Sequence, residues 1–185
     1  ITPTASSVTS SVTVNGTVVA SGSASQAVPL AVGPNTLTIV VNEAVAGNTA
    51  TYTVLVTRLP SSEAALAGLT VAPGALAPAF SSVVKDYTMT VNVPVLQVAP
   101  VTSDANAIVT VNGGLVPSGG GGVPVALAYG GNVIHILVTA QDGVTLSSYR
   151  LEVTRISDIS SLASMGVEPG MILPAFAAGV FNYTA

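Results

Sequence analysis

Apolar and polar residues alternate along much of the chain, and this period of two predicts β-strands. In "NTLTIVV" the side chains of Leu37, Ile39 and Val41 would lie on one face of a strand, and those of Thr36 and Thr38 on the other. Turn-forming stretches rich in glycine, asparagine and proline interrupt the alternation about every eight to twelve residues, a spacing typical of antiparallel sandwiches. The pattern therefore predicts an all-β protein made of antiparallel β-sandwiches.

Two Asn-Gly pairs mark the tightest turns. Asn15-Gly16 lies inside "SVTVNGTVVASG", and Asn112-Gly113 lies between two similar alternating segments. A type I′ turn needs a positive φ at both central residues, which asparagine and glycine tolerate best. We therefore predict a β-hairpin at each pair.

The chain also repeats its own sequence. Three segments recur 97 residues later and in the same order, namely residues 12–16 at 109–113, 33–41 at 130–138, and 51–58 at 148–155. A fourth segment, "GALAPAFSSVVKDYT" at 74–88, recurs 96 residues later as "GMILPAFAAGVFNYT" at 170–184. Matches in a fixed order at a nearly constant spacing indicate tandem structural repeats.

The strands of each repeat have an apolar face at equivalent positions. In the first repeat it is formed by Leu37, Ile39, Val41, Tyr52, Val54 and Val56, and in the second by Ile134, Ile136, Val138, Tyr149, Leu151 and Val153. Period-two alternation predicts that both sets face a core, while Thr53, Leu55, Arg150 and Glu152 face outward.

The repeat resembles the bacterial cadherin-like β-sandwich, an immunoglobulin-like Greek-key module found in tandem. The resemblance covers the whole chain and is carried by "LAGLTVAPGALAPAFSSVVKDYT", "VAPVTSDANAIVTVNG" and "GGNVIHILVTAQDGVTLSSYRLEVTR". It implies tandem Ig-like sandwiches and a location outside the cell or at its surface. It also implies a spacer, stalk or adhesive role, and it brings no catalytic residues.

The repeat divides the chain into three parts. Residues 1–58 correspond to the later strands of one module, residues 59–155 to a whole module, and residues 156–185 to the opening strands of a further module. Neither end part closes a sandwich alone, which would leave unpaired backbone groups and an open apolar face.

Two explanations stay open for these incomplete parts. The chain is either a window on a longer tandem array, or residues 156–185 of one subunit complete residues 1–58 of the next, head to tail. Two repeats of 97 residues would need 194, nine more than the chain has, which is about the length of the segment 89–97. On that count a complemented domain would lack one strand, which favours the window.

Composition narrows the range of partners. Only 6% of the 185 residues are charged, against about 25% in an ordinary soluble domain. Four lysines and arginines with a net charge of −4 argue against nucleic-acid binding, which needs clustered cations. The chain has no cysteine, so disulfides and thiolate metal sites are excluded, and no apolar run is long enough to span a bilayer. A surface with so little charge is poorly defended against association, and this predicts packing against copies of the chain or neighbouring repeats.

No residue stands out as catalytic. His135 is the only histidine and falls at an outward position of its strand, so we interpret it as a surface residue. Lys85 raises the idea of an isopeptide crosslink, but its counterpart is Phe181, and an edge-strand charge against mispairing is the simpler interpretation. We therefore predict no catalytic, cofactor or metal site, and no enzymatic activity.

Calcium and glycans have weak sequence support. The module junctions hold one acid each, Glu63 and Asp158, whereas calcium takes six to eight oxygen ligands. Asp104 and Asp142 are ordinary turn residues by context. Asn15 and Asn182 begin glycosylation sequons, of which Asn15 belongs to a tight turn.

The predicted function is structural: a non-enzymatic repeat of an extracellular filament, stalk or surface layer. Outward apolar residues, Val40, Leu55, Val133 and Leu137, would supply lateral contacts. The alternatives are an adhesin that recognises a carbohydrate or receptor, and an accessory domain of a larger secreted enzyme. A sugar site would favour aromatic side chains in loops, and only Tyr129 is of that kind.

Overall fold

The computed structural model describes residues 1–157 together with residues 164, 165, 175 and 182. These residues form two compact units, Ile1–Ser62 and a second unit that begins at Glu63. The predicted opening strands at 156–185 lie almost entirely outside the described residues.

Unit 1 contains one four-stranded antiparallel sheet. Its strands are β1 (Ser10–Val14), β2 (Thr17–Val19), β3 (Gly33–Glu43) and β4 (Thr49–Arg58), in the spatial order β2-β1-β3-β4. Consecutive strands are antiparallel throughout. Among the strands that the structure describes, β4 is therefore at the edge of this sheet.

Unit 2 is a complete sandwich of two sheets. The three-stranded sheet has the order β10-β7-β5, with β5 (Leu66–Ala72), β7 (Val95–Thr102) and β10 (Val123–Ala126). The five-stranded sheet has the order β6-β12-β11-β8-β9, with β6 (Asp86–Val91), β8 (Ile108–Val111), β9 (Gly114–Val116), β11 (Gly130–Thr139) and β12 (Leu146–Arg155). The predicted all-β sandwich is confirmed, and it contains one parallel pair, β6 with β12.

The core of unit 2 follows the predicted alternation. The six inward side chains of β11 and β12 are each at most 1% exposed, and they are Ile134, Ile136, Val138, Tyr149, Leu151 and Val153. They pack against Leu66, Leu69, Leu96 and Val98 of the opposite sheet, with Tyr87 from β6. The predicted core face of the second repeat is thus confirmed.

The Asn-Gly turns are also confirmed. Asn15 and Gly16 have φ values of 49° and 82°, and Asn112 and Gly113 have 48° and 81°. The side-chain Oδ1 of Asn15 accepts a hydrogen bond from the Thr38 N–H at 2.9 Å, and that of Asn112 accepts one from the His135 N–H at 2.9 Å. The asparagine thus fixes the hairpin against the neighbouring strand as well as forming its turn.

The sequence count suggested that the segment 89–97 is one strand, but the structure shows parts of two strands there. It contains the last residues of β6, Met89–Val91, the connection 92–94, and the first residues of β7, Val95–Gln97. A module that lacks these residues would have two shortened strands and would lose no whole strand.

Candidate functional site

The most unusual surface of the protein is the inner face of the sheet in unit 1. Tyr52 is 59% exposed and Val54 40% exposed, whereas their counterparts Tyr149 and Leu151 are fully buried. The prediction that Tyr52, Val54 and Val56 face a packed core is therefore wrong for this unit. We call the surface formed by Val41, Tyr52, Val54 and Val56 the open inner face.

The open inner face exists because unit 1 has little of a second sheet. In unit 2 that sheet, with β6, covers the core. Residues 1–5 keep part of this arrangement in unit 1, since the Gly22 N–H donates to the Pro3 carbonyl at 2.9 Å, as the Gly119 N–H does to Pro100 at 3.0 Å. They contribute to a small core in which the buried side chains are Val12, Val14, Val19 and Ile39.

Unit 1 has a cavity of about 390 Å³ at a position where the core of unit 2 is packed with side chains. Its lining includes Ile1, Ile39, Val41 and Tyr52. The counterparts of the last three, Ile136, Val138 and Tyr149, are completely buried in unit 2. The cavity is thus an unfilled part of a sandwich core, and it is lined by these apolar positions together with residues 3–6.

Among the described residues, no strand pairs with the outer edge of β4 beside this face. Thr38 and Thr53 are opposite each other in β3 and β4, and Thr38 uses both its N–H and its carbonyl on Asn15. The pair is therefore of the non-hydrogen-bonded kind, so the backbone groups of Thr53 point away from β3. In unit 2 the equivalent Arg150 N–H donates to the Lys85 carbonyl at 2.7 Å.

Tyr149 shows what a covered tyrosine does at this position. Its hydroxyl accepts a hydrogen bond from the Leu66 N–H at 2.9 Å and donates to the Ser82 carbonyl at 3.2 Å. Lys85 lies over the ring, with Nζ 3.8 Å from its centroid, and also donates to Ser147 Oγ at 2.9 Å. The interpretation of Lys85 as an edge-strand charge did not include this contact, in which its ammonium group lies against the buried tyrosine.

The outer face of the five-stranded sheet carries both charged and apolar side chains. His135, Arg150 and Asp86 form one row across β11, β12 and β6, and Arg150 forms an ion pair with Glu152. Of the predicted lateral residues, Val133 is 43% and Leu137 36% exposed in unit 2, and Leu55 is 67% exposed in unit 1. Val40 is half-buried.

The sequence pattern does not reveal a group of apolar residues near Leu137. Ile108 and Leu146 lie opposite Thr139, and Leu115 lies opposite Thr110, which is itself opposite Leu137. Ile108, Leu115 and Leu146 are 53%, 74% and 59% exposed. We call Ile108, Leu115, Leu137 and Leu146 the outer patch; strand register alone brings its members together.

The acidic residues suggested for calcium hold local turns instead. Asp104 Oδ1 accepts from the Asn106 N–H at 2.8 Å, and Glu63 Oε1 accepts from the Ala65 N–H at 2.8 Å. Asp158 lies outside the described residues. Within the described part of the chain no three acidic, histidine or cysteine side chains gather as metal ligands would.

Asp142 shapes the turn between β11 and β12. It accepts hydrogen bonds from the Thr145 hydroxyl at 2.6 Å and from the N–H groups of Thr145 and Val144 at 2.8 and 2.9 Å. These bonds hold the pKa of Asp142 below its ordinary value of 3.8, and the bond from the Thr145 hydroxyl has the largest effect. Glu43 in unit 1 has a lowered pKa for similar reasons, chiefly the Ala46 N–H.

We expect the stability of unit 2 to depend on the ionisation of Asp142. A lowered native pKa gives a contribution that is present above the unfolded pKa and is lost as the pH falls through the native pKa. Asp142→Asn should therefore destabilise unit 2 at neutral pH. The difference between its free energy of unfolding and that of wild type should shrink below pH 3.8. Denaturant unfolding at several pH values measures this difference, and Thr145→Val should reduce the pH dependence in the same direction. A difference that stays constant down to the acid limit would contradict the assignment.

One face of the Tyr129 ring is covered by a cation. It is 63% exposed, but the Arg155 guanidinium lies over the ring, with Cζ 3.9 Å from its centroid. Arg155 Nη1 also donates to the Leu127 carbonyl at 2.9 Å. The one loop aromatic suggested for sugar stacking thus has a cation on one face.

Grooves recur beside the hairpins of both units. Val14, Asn15 and Val28 line one of about 150 Å³, and their counterparts Val111, Asn112 and Val125 line one of about 420 Å³. Neither lining contains an acid, a base or a histidine. These grooves offer shape and apolar contact, and the polar side chains in their linings are hydroxyls and amides.

The comparisons with known proteins agree with the sandwich architecture. A model of the cadherin-like beta sandwich domain matches residues 1–59 and residues 66–156. The chain belongs to the cadherin-like β-sandwich family. The resemblance found in the sequence is thereby confirmed for both units.

The other comparisons add little to the family assignment. No curated protein matches the chain. Among solved structures, the fibronectin(III)-like modules of Clostridium thermocellum CbhA match 83% of this chain and 83% of their own, at 14% identity and a TM-score of 0.28. That likeness is too low to carry an argument.

Membership in the cadherin-like family indicates a structural or binding module. Domains of this kind are typically non-catalytic and commonly extracellular. In the described part of the chain, no helix has the length and apolar character needed to cross a membrane.

Proposed function

We propose that this chain is a structural, non-enzymatic segment of an extracellular filament, stalk or surface layer in which cadherin-like modules follow one another in line. One observation carries the proposal: unit 1 exposes the inner face and the strand edge that are covered in unit 2. A sandwich with an open core and a free edge is stabilised by whatever supplies the missing strands. Its natural partners are neighbouring repeats or copies of the chain, head to tail.

The low content of charged residues supports side-by-side packing of such assemblies. Charged residues make up 6% of the chain, and the outer patch places apolar side chains in neighbouring rows of one sheet. Contiguous exposed apolar residues of this kind mark interaction surfaces. Axial contacts would come from module completion and lateral contacts from outer sheet faces.

Electron microscopy of linked copies tests the linear arrangement. We expect two copies of the chain, joined end to end, to form an extended particle in negative stain whose length is about twice that of one copy. A compact particle of the joined copies would contradict the structural proposal. This test does not depend on which segment covers the open inner face.

Charges on the outer face of unit 2 should weaken lateral packing. In a Val133→Lys, Leu137→Lys double variant, two exposed apolar side chains become cations on one face, so neighbouring sheets repel each other. We expect bundles to separate into single filaments in negative stain. The matched control is Thr90→Lys with Thr154→Lys, which adds the same charge to opposed outer positions of β6 and β12. Bundles that persist in the first variant, or separate equally in the control, would rule out this lateral contact.

A further inference from the structure

We infer that the open inner face is the docking site for residues 156–185 of a second copy of the chain, which enters as a strand parallel to β4. The inference rests on the proposed function and names the partner of its axial contact. Most of the donor segment lies outside the described residues, so the argument uses its sequence and the structure of its counterpart in unit 2.

The donor segment has the apolar side chains that the site requires. In unit 2, Leu66, Leu69, Leu76, Phe80, Val84 and Tyr87 pack in or against the core from residues 59–88. The spacing of 96 residues places Leu162, Met165, Ile172, Phe176, Val180 and Tyr183 at these positions in the donor. All six are large and apolar, so the donor has the composition needed to fill the cavity and cover Tyr52 and Val54.

The register of the added strand follows from unit 2. β6 is parallel to β12, with Asp86 opposite Arg150 and Tyr87 opposite Leu151. The equivalent pairs are Asn182 of the donor with Thr53 and Tyr183 with Val54. The Thr53 N–H would then donate to the carbonyl of residue 181, as the Arg150 N–H does to Lys85. β-strand addition of this kind uses backbone bonds for affinity and side-chain pockets for specificity.

The donor segment offers a hydrogen-bond donor for the hydroxyl of Tyr52. Its counterpart Tyr149 accepts from the Leu66 N–H, and the equivalent donor group is the Leu162 N–H. Among the described residues we find no hydrogen-bond partner for Tyr52. The donor has Phe181 where unit 2 has Lys85, so docking would place an aromatic side chain near Tyr52 in place of a cation.

A single charge on the open inner face should block this contact. In the full chain, Val54→Lys places an ammonium group where the donor's Tyr183 would pack, and we expect association in sedimentation velocity to weaken at least tenfold. The control is Thr53→Lys, on the opposite face of the same strand, because unit 2 already has Arg150 there beside a paired β6. Thr53→Lys should associate as wild type does.

Competition by a peptide provides a second test, which does not depend on whether Val54→Lys perturbs the folding of unit 1. Excess peptide with the sequence 156–185 should cap the wild-type chain and reduce its average mass, whereas the same peptide with Leu162→Lys and Tyr183→Lys should not. Association that is unaffected by Val54→Lys and by the peptide would overturn the inference and leave the linear arrangement intact. A wild-type chain that stays monomeric at all concentrations would overturn it as well. In that case, protection of the Thr53 amide from exchange would indicate that the chain covers its own face.

Discussion

Tyr149→Ala should lower the free energy of unfolding of unit 2 by about 3–5 kcal/mol. Tyr52→Ala, at the same position of the repeat, should change that of unit 1 by about 0.5 kcal/mol or less at concentrations where the chain is monomeric. Tyr149 is fully buried, whereas Tyr52 is 59% exposed. Removal of the first ring leaves a cavity in a packed core, and removal of the second only enlarges a surface that is already open.

The comparison needs a probe that separates the two units. Urea unfolding followed by backbone amide NMR signals gives a midpoint for each unit in the same sample. Tyr149→Phe keeps the ring and removes the hydroxyl that bonds Leu66 and Ser82, so it should destabilise unit 2 by about 1–3 kcal/mol. Equal losses for the two alanine variants would show that Tyr52 is covered and would contradict the account of unit 1.

A covalently supplied second sheet should stabilise unit 1. Residues 59–97, placed directly before Ile1, would provide the equivalents of β5 and β6 and the start of β7. Each large apolar side chain that becomes buried contributes about 1.5–3 kcal/mol. We therefore expect unit 1 to unfold at a clearly higher urea concentration, while the midpoint of unit 2 stays unchanged.

The matched control for this extension carries Leu66→Lys and Tyr87→Lys in the added segment only. These changes place charges at two positions that are 0% and 1% exposed in unit 2, so the added segment should no longer cover the face. Equal stabilisation by both extensions would mean that added chain length, and not completion of the core, is responsible. The unaltered extension should also abolish association between chains, because it occupies the docking site.

Local sequence signals were sufficient for the strands and their turns. The alternation at Ile134, Ile136 and Val138 identified a buried face because all three residues pack into the one core of unit 2. The Asn-Gly pairs identified the hairpins because positive φ at both central residues selects these residue types. Such features depend on a few neighbouring residues, which a single sequence contains in full.

Features that depend on distant segments were not predictable in the same way. The face of Tyr52 and Val54 has the same alternation as that of Tyr149 and Leu151, and only the presence of an opposing sheet distinguishes the two. The contact of Lys85 with Tyr149 and the parallel pairing of β6 with β12 join residues more than sixty positions apart. The outer patch depends on register across four strands, which no single segment encodes.

The amides of Thr53 and Arg150 offer the most direct measurement of the central claim, that the open edge of β4 is completed by another copy. They occupy equivalent positions of β4 and β12, and only the Arg150 N–H has a partner among the described residues. Hydrogen exchange in the wild-type chain should show Arg150 protected at every protein concentration, and Thr53 exchanging rapidly in dilute solution but protected as concentration rises. Thr53 protection that is equal to that of Arg150 in the most dilute sample, or absent in the most concentrated one, would contradict the account.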